Sequence, residues 1–457
     1  MSLSVKSSVL IAPGINLEVQ RASSRSVLDS VILYGVVSLL LFGPLAAGAV
    51  RPWAIFVLEM GAALLFALWV VRQATAGVVQ FTSNPLFSPM LVFAALIALQ
   101  LATGVSAYRY HTFSSALLYC AYGLLCFLVV QCLRRSSQIK TLAWVFSVYG
   151  FVLAMFALVQ SITSNGKLYW LRTPRFGGWI YGPYVNHNHY AGLMEMLVPI
   201  PLIFFLTSRA RDSRKAMAAV AAGVMASTIF LSGSRGGMAA FMVQMVVLAV
   251  VLLKQRKARR SSVGLSFFMM IVVGLLIWLG GTELTKRMAS INVEARQEVS
   301  GGMRMVIDRD GLKMYARRPV LGWGLGVFPD VYPRYRSFYT HFFVNQAHND
   351  YLQLLVEMGT LGLATMIWFI VLLYRSAIKK LGNWTEDTNG TVALATMLGG
   401  TGILVHSFVD FNLQIPANAA LFYVLCVIAA FEPRFGQSIR KAVRRQTEAP
   451  QFSPQGN

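Results

Sequence analysis

The chain has 457 residues, 56% of them hydrophobic and only 13% charged, with a mean hydropathy of +0.59. That balance excludes an ordinary soluble globular protein, which needs more polar residues to cover its surface. The formal net charge of +22 is spread over many short loops, which argues for membrane topology and headgroup contact and against nucleic-acid binding.

Apolar runs of about 17 to 23 residues recur along the chain, long enough to cross a hydrocarbon core as helices. They predict an all-α polytopic membrane protein with about twelve spans. These lie near 29–50, 54–71, 86–104, 113–133, 141–161, 190–207, 216–232, 236–253, 263–281, 352–374, 392–409 and 415–431. The chain then divides into a tail (1–28), nine spans (29–281), a long loop (282–351), three spans (352–431) and a second tail (432–457). The first 25 residues are polar and show no cleavable signal.

Basic residues alternate from side to side. Arg72, then Arg134 and Arg135, then Arg209 to Lys215, and later Arg375, Lys379 and Lys380 share one side with both tails. By the positive-inside rule that side is cytoplasmic. The 282–351 loop is then periplasmic, on the outer side of a bacterial inner membrane. Long loops cross regardless of charge, so its many arginines are compatible with that side. Its 303–318 segment has an amphipathic pattern that predicts a short helix ending at Pro319.

Chemistry-bearing residues collect on the expected outer face. In chain order they begin with Arg172 and Arg175, then Asn186, His187, Asn188 and His189. Arg235 follows, in the turn Ser232-Gly-Ser-Arg-Gly-Gly237, where it could grip phosphate oxygens or snorkel to headgroups. Arg304, Arg318 and His348-Asn349-Asp350 complete the set. An imidazole near neutral pKa can accept a proton from a sugar hydroxyl, and Asn349 and Asp350 could instead cap the tenth span.

The four cysteines, Cys120, Cys126, Cys132 and Cys426, read as core residues. Asp308-Arg309-Asp310 has an Asp-x-Asp form with an arginine that opposes a cation, so the site reads as metal-free. Gly322-Trp-Gly-Leu-Gly326 follows no strand and carries no lysine, which excludes a nucleotide loop. The carboxylates Glu59, Glu195 and Glu357 sit within spans and are expected to bond neighbouring helices. Trp323, Phe328, Tyr332, Tyr335, Phe338 and Tyr339 could stack on sugars or pack the loop.

His348-Asn349, nine residues, then Gly359-Thr-Leu-Gly362 resembles the His-Asn-x9-Gly-x-x-Gly signature of the O-antigen ligase and Wzy-type polymerase superfamily. Three other stretches are similar to that family in the same order. They are Gly182 to Gly192 with Asn-His-Asn-His, the Ser232 to Gly237 turn, and Arg304 followed by Arg318 to Phe328. Ala239 stands where the ligase pattern often has leucine, a departure toward polymerase.

The resemblance implies a GT-C-like, metal-independent, inverting glycosyltransferase without a cofactor. Its donor would be a glycan on undecaprenyl diphosphate. Its acceptor would be lipid A–core, another lipid-linked repeat unit, or a protein hydroxyl. By motif, Arg235 and Arg304 would hold the diphosphate and His348 would position or deprotonate the acceptor hydroxyl. Asn186, Asn188, His189, Arg172, Arg175, Arg318 and Asn349 would line the site. A lipid-linked glycan transporter is the competing class, and it calls for broken helices and polar groups near mid-membrane.

Overall fold

The computed structural model describes residues 13–76, 81–174, 178–207, 213–254, 261–278, 303–339 and 343–431. Arg175, His341, the stretch 279–302 and both extreme tails lie outside them. Regular structure among the described residues is helical, apart from two isolated bridges. Ten helices are long and apolar enough to cross a membrane, and two shorter apolar ones, Phe87–Thr103 and Pro416–Ala430, accompany them. The chain is an all-α polytopic membrane protein, and each of the twelve expected spans falls on one of these helices.

In chain order the helices begin with α1 (Pro13–Leu45), α2 (Pro52–Ala76), α3 (Phe87–Thr103), α4 (Arg109–Cys132) and α5 (Ser136–Thr163). Next come α6 (His187–Leu197), α7 (Pro199–Thr207), α8 (Ser213–Leu231), α9 (Arg235–Lys254) and α10 (Ser261–Trp278). After the long loop's α11 (Met303–Arg317) and α12 (Phe328–Val331) follow α13 (Asp350–Ile378), α14 (Thr388–His406) and α15 (Pro416–Ala430). The expected loop helix over 303–318 is α11.

The sixth span is two helices. Pro199 and Pro201 lack the N–H groups a continuous helix needs, and the helix is interrupted at Val198. With α14 this broken span forms the most enclosed part of the bundle. Small residues permit that: a Cβ on Gly399 would come within 2.8 Å of the Met196 carbonyl, so only glycine lets α14 lie so close to α6.

The tenth span is interrupted too, at Gly359, whose φ of 66° and ψ of −168° are non-helical. The Gly322-to-Gly326 loop fills the break. Trp323 N–H donates to Val356 O (3.0 Å), Gly324 N–H to Glu357 O (2.9 Å), and Thr360 N–H to Pro319 O (2.7 Å). Glu357 is the clasp: its carboxylate accepts Gly326 N–H at 2.8 Å and Phe328 N–H at 3.2 Å. Glu357 therefore bonds a re-entering loop, where a neighbouring helix was expected. Glu195 meets the expectation through His406 on α14. Glu59, expected to do the same, has no hydrogen-bond partner among the described residues.

The loop also has a core of its own. Phe328 stacks on Tyr332 at 4.9 Å, and both are buried with Ile307, Met314 and Val356. Of the six loop aromatics only Tyr339 is largely exposed, so packing is the role the other five have.

The break at Gly359 predicts a sharp mutational contrast. Gly359→Ala needs a left-handed φ and drives its Cβ into the Val320 carbonyl, and is expected to cost roughly 2–4 kcal/mol. Gly382→Ala, with open space around it, is expected to change little. Melting temperature and size-exclusion profile of the purified variants compare the two.

Candidate active site

The site is assembled where α13 begins. Asn349 caps the helix, accepting Leu352 N–H at 3.2 Å, so the capping account of Asn349 is correct. Asp350 has a different task. Its Oδ2 accepts the Ser407 hydroxyl at 2.7 Å and Leu413 N–H at 3.0 Å, while its own N–H donates to Ser407 O at 2.9 Å. These bonds fasten the α13 start to the α14–α15 connection, and they bring His348 against Phe411 and within the field of Asp410. His348 itself has a φ of 56°, a left-handed conformation uncommon for a non-glycine residue and frequent at functional sites.

Phe411 stands between two imidazoles. His348 and His189 each meet its ring edge-to-face at 4.7 Å. Asp410, buried to 1% exposure, lies 3.6 Å (Oδ1) from His189 Nε2 and 3.7 Å (Oδ2) from Arg304 Nη2. Arg304 also donates to Val409 O, and Phe411 N–H donates to Asp410 Oδ1 at 2.7 Å. Two segments distant in sequence, carrying His189 and Arg304, thus converge on residues 409–411.

Electrostatics follow from this packing. Burial pushes the His348 imidazole down to about 4, with the nearby Arg304 and His189 adding to the effect and Asp410 opposing it. Its Nδ1 is buried and makes no hydrogen bond. A neutral imidazole with an unpartnered nitrogen can accept a proton. Burial alone would raise Asp410. The hydrogen bond to His189 and its charge, with His406 adding to them, outweigh it, holding the carboxyl well below its ordinary range. Burial raises Asp308, which lies near Asn349 and Arg304.

Arg235 is exposed at the first residue of α9. Ser234 caps that helix, its hydroxyl accepting Gly237 N–H at 3.1 Å. The two glycines after Arg235 allow contact with the buried pair His406 Nδ1–Glu195 Oε1 (2.8 Å). A Cβ on Gly236 would lie 2.6 Å from the His406 ring and 2.8 Å from Val409, and one on Gly237 would lie 3.1 Å from Glu195 Oε1. Val409 is thus a shared neighbour: Gly236 packs against its side chain and Arg304 bonds its carbonyl.

The other expected residues divide. Asn186 caps α6, accepting Asn188 N–H at 2.9 Å, and its amide nitrogen reaches His189 Nε2 at 3.5 Å, so it belongs to the cluster. Asn188 contributes that main-chain donor. Arg318 is engaged elsewhere: it donates to Val105 O at 2.5 Å and covers the Trp323 ring at 4.2 Å. Arg172 is exposed in a small turn bridged to Leu168 and makes no contact with the His348 cluster among the described residues. Asp310 is bound internally by Ser337 and Lys313. Among the described residues no group of three or more His, Cys, Asp and Glu is arranged to hold a metal ion.

Asp410 and Phe411 are absent from the sequence reading. The signal available was a carboxylate at the end of the eleventh span, on the His348 side by span counting.

A polytopic helical membrane protein with a His–Asp–Arg centre, built on the buried Asp410, at one end of its bundle is the class that fold and site define. Residues 220–367 match the family model described as O-antigen ligase. That match places the segment in the O-antigen ligase and Wzy-type superfamily, whose members are membrane glycosyltransferase-like enzymes of the ligase or polymerase kind. It contains Arg235, Arg304 and His348 and ends before Asp410. No curated protein matches the chain.

Proposed function

We propose that the protein transfers a glycan from undecaprenyl diphosphate to an acceptor hydroxyl, on the periplasmic face of a bacterial inner membrane. The observation that carries this reading is the unpartnered Nδ1 of a neutral His348 beside Arg304. The acceptor oxygen attacks the anomeric carbon as the bond to the diphosphate oxygen breaks. The hydroxyl proton passes to His348, and the electron pair leaves on the diphosphate, whose charge Arg304 and Arg235 stabilise. Attack opposite the leaving group inverts the anomeric centre. Asp410 orients Arg304 and His189 and favours the imidazolium that forms.

An apolar cavity of about 560 Å³ runs between α3, α4 and α13 and is lined by Phe87, Ile97, Tyr119 and Phe369 among others. It suits the isoprenoid chain of such a donor. Ile97 of its lining packs with Leu325 of the re-entering loop and with Leu354.

The transporter reading gains two broken helices, yet the protein's own groups occupy the break in α13, and the polar centre stands at one end of the bundle. Both features favour an enzyme. The acceptor separates ligase from polymerase. The purified protein is therefore to be incubated with undecaprenyl diphosphate-linked glycan, with and without lipid A–core, in EDTA. Core-linked product is expected of a ligase and longer lipid-linked chains of a polymerase. Absence of carrier release with either acceptor, or activity restored only by magnesium, would overturn the reading.

A further inference from the structure

The end of the bundle opposite His348 holds a second charged centre, independent of the reading above. Asp29 stands near the start of the first span, Arg72 in the last turns of α2, and Arg134 two residues beyond α4. Because α4 starts beside the long loop, through His111 and Asp330, its far end marks the other membrane face.

Asp29 and Arg72 are almost wholly enclosed, at 5% and 3% exposure. Arg72 Nη2 donates to Asp29 Oδ2 at 3.0 Å, and its Nε lies 3.0 Å from Oδ1. Arg134 Nε approaches the same carboxylate at 3.6 Å, with a third of its side chain exposed. Two guanidinium groups thus share one carboxylate, leaving an excess positive charge in a largely enclosed site. Arg72 Nη1 and Arg134 Nη2 are buried and make no hydrogen bond.

Buried, unmatched charged donors are costly and call for an acceptor. Two forks beside one carboxylate suit a tetrahedral anion that offers several oxygens. The first turn of α5, opening at Ser136 just after Arg134, adds the positive end of a helix dipole. The depth and the surroundings indicate where that anion comes from. The cluster sits at the ends of membrane-spanning helices, at headgroup level, and Val27, Val70 and Val71 beside it are exposed as lipid-facing residues are.

We propose that Arg72 and Arg134, braced by Asp29, bind the headgroup phosphate of an anionic phospholipid in the leaflet opposite the His348 centre. The site anchors α1, α2 and α4 to that leaflet.

The test compares melting temperatures of purified protein in nanodiscs of phosphatidylcholine, with and without phosphatidylglycerol. Phosphatidylglycerol is expected to raise the midpoint. Arg134→Gln is expected to weaken phosphatidylglycerol binding about fivefold and to lose most of the rise. Arg375→Gln, an exposed arginine near the matching end of α13, is expected to retain it. No rise in the wild type, or equal loss in both variants, would overturn the site. An equal rise from inorganic phosphate on detergent-solubilised protein would replace the lipid with a free anion and overturn the lipid assignment. Should Arg134→Gln fail to fold, native mass spectrometry of the wild type decides. At least one phosphatidylglycerol surviving delipidation supports the site, and none refutes it.

Discussion

His348→Ala is expected to lower glycan transfer by about 10² to 10⁴-fold, the usual contribution of a positioned general base, while the protein still folds and inserts. The ring makes few structural bonds. Its Nδ1 makes no hydrogen bond, and the helix start it precedes is held by Asn349 and Asp350. Arg235→Ala is expected to have a comparable effect for a different reason, the loss of leaving-group stabilisation. The two separate by pH. His348 acts as a neutral ring, so activity falls as pH drops through its pKa. In the free protein that value is depressed to about 4 by burial and by Arg304, which places the acid limb of kcat/KM near pH 4. A bound diphosphate brings negative charge beside the ring and raises its pKa, so the acid limb of kcat should lie at higher pH. Normal glycan profiles in His348→Ala cells, or coincident limbs in the two parameters, would contradict the assignment.

The membrane spans were legible because each is a self-contained apolar run, and bilayer thickness sets its length. The motifs that carry Arg235, Arg304 and His348 were legible because spacing survives in one dimension. Gly359 appeared in the signature, yet its work did not. The run 352–374 reads as unbroken, and nothing local shows that Glu357 will clasp Gly326 and Phe328 some thirty residues earlier. For the same reason the Gly322-to-Gly326 loop and Glu357 look unrelated in sequence. Asp410 is the clearest case of what pattern cannot carry. It is a single acid at a span end with no periodicity, and it meets His348 only because Asp350 bonds Ser407 and Leu413. Arg318 matched the motif and is nonetheless engaged by Val105 and Trp323, since residue type alone does not say which way a long side chain turns.

Asp410→Asn is expected to reduce kcat/KM by about 10²-fold or more through lost charge rather than lost fold, the scale at which removing a group that preorganises charge is felt. The amide keeps an oxygen for Phe411 N–H and nearly the same volume, so the 409–411 segment should stay in place. Arg304 and His189 lose their anionic neighbour. Arg304 remains tied to Val409 O but is no longer drawn toward Asp410 Oδ2. The sign of the pH effect separates this role from simple bracing. Asp410 is the one neighbour that raises the His348 pKa, whereas Arg304 and His189 lower it. Neutralising it should therefore move the acid limb of kcat to lower pH, even as the plateau falls. Asp310→Asn is the control. That buried carboxylate accepts Ser337 and Lys313 within the loop, and its loss should reduce stability and leave the limb where it was. A limb that stays fixed in Asp410→Asn, with only the plateau reduced, would make Asp410 a structural anchor for Arg304 with no influence on the proton taken by His348.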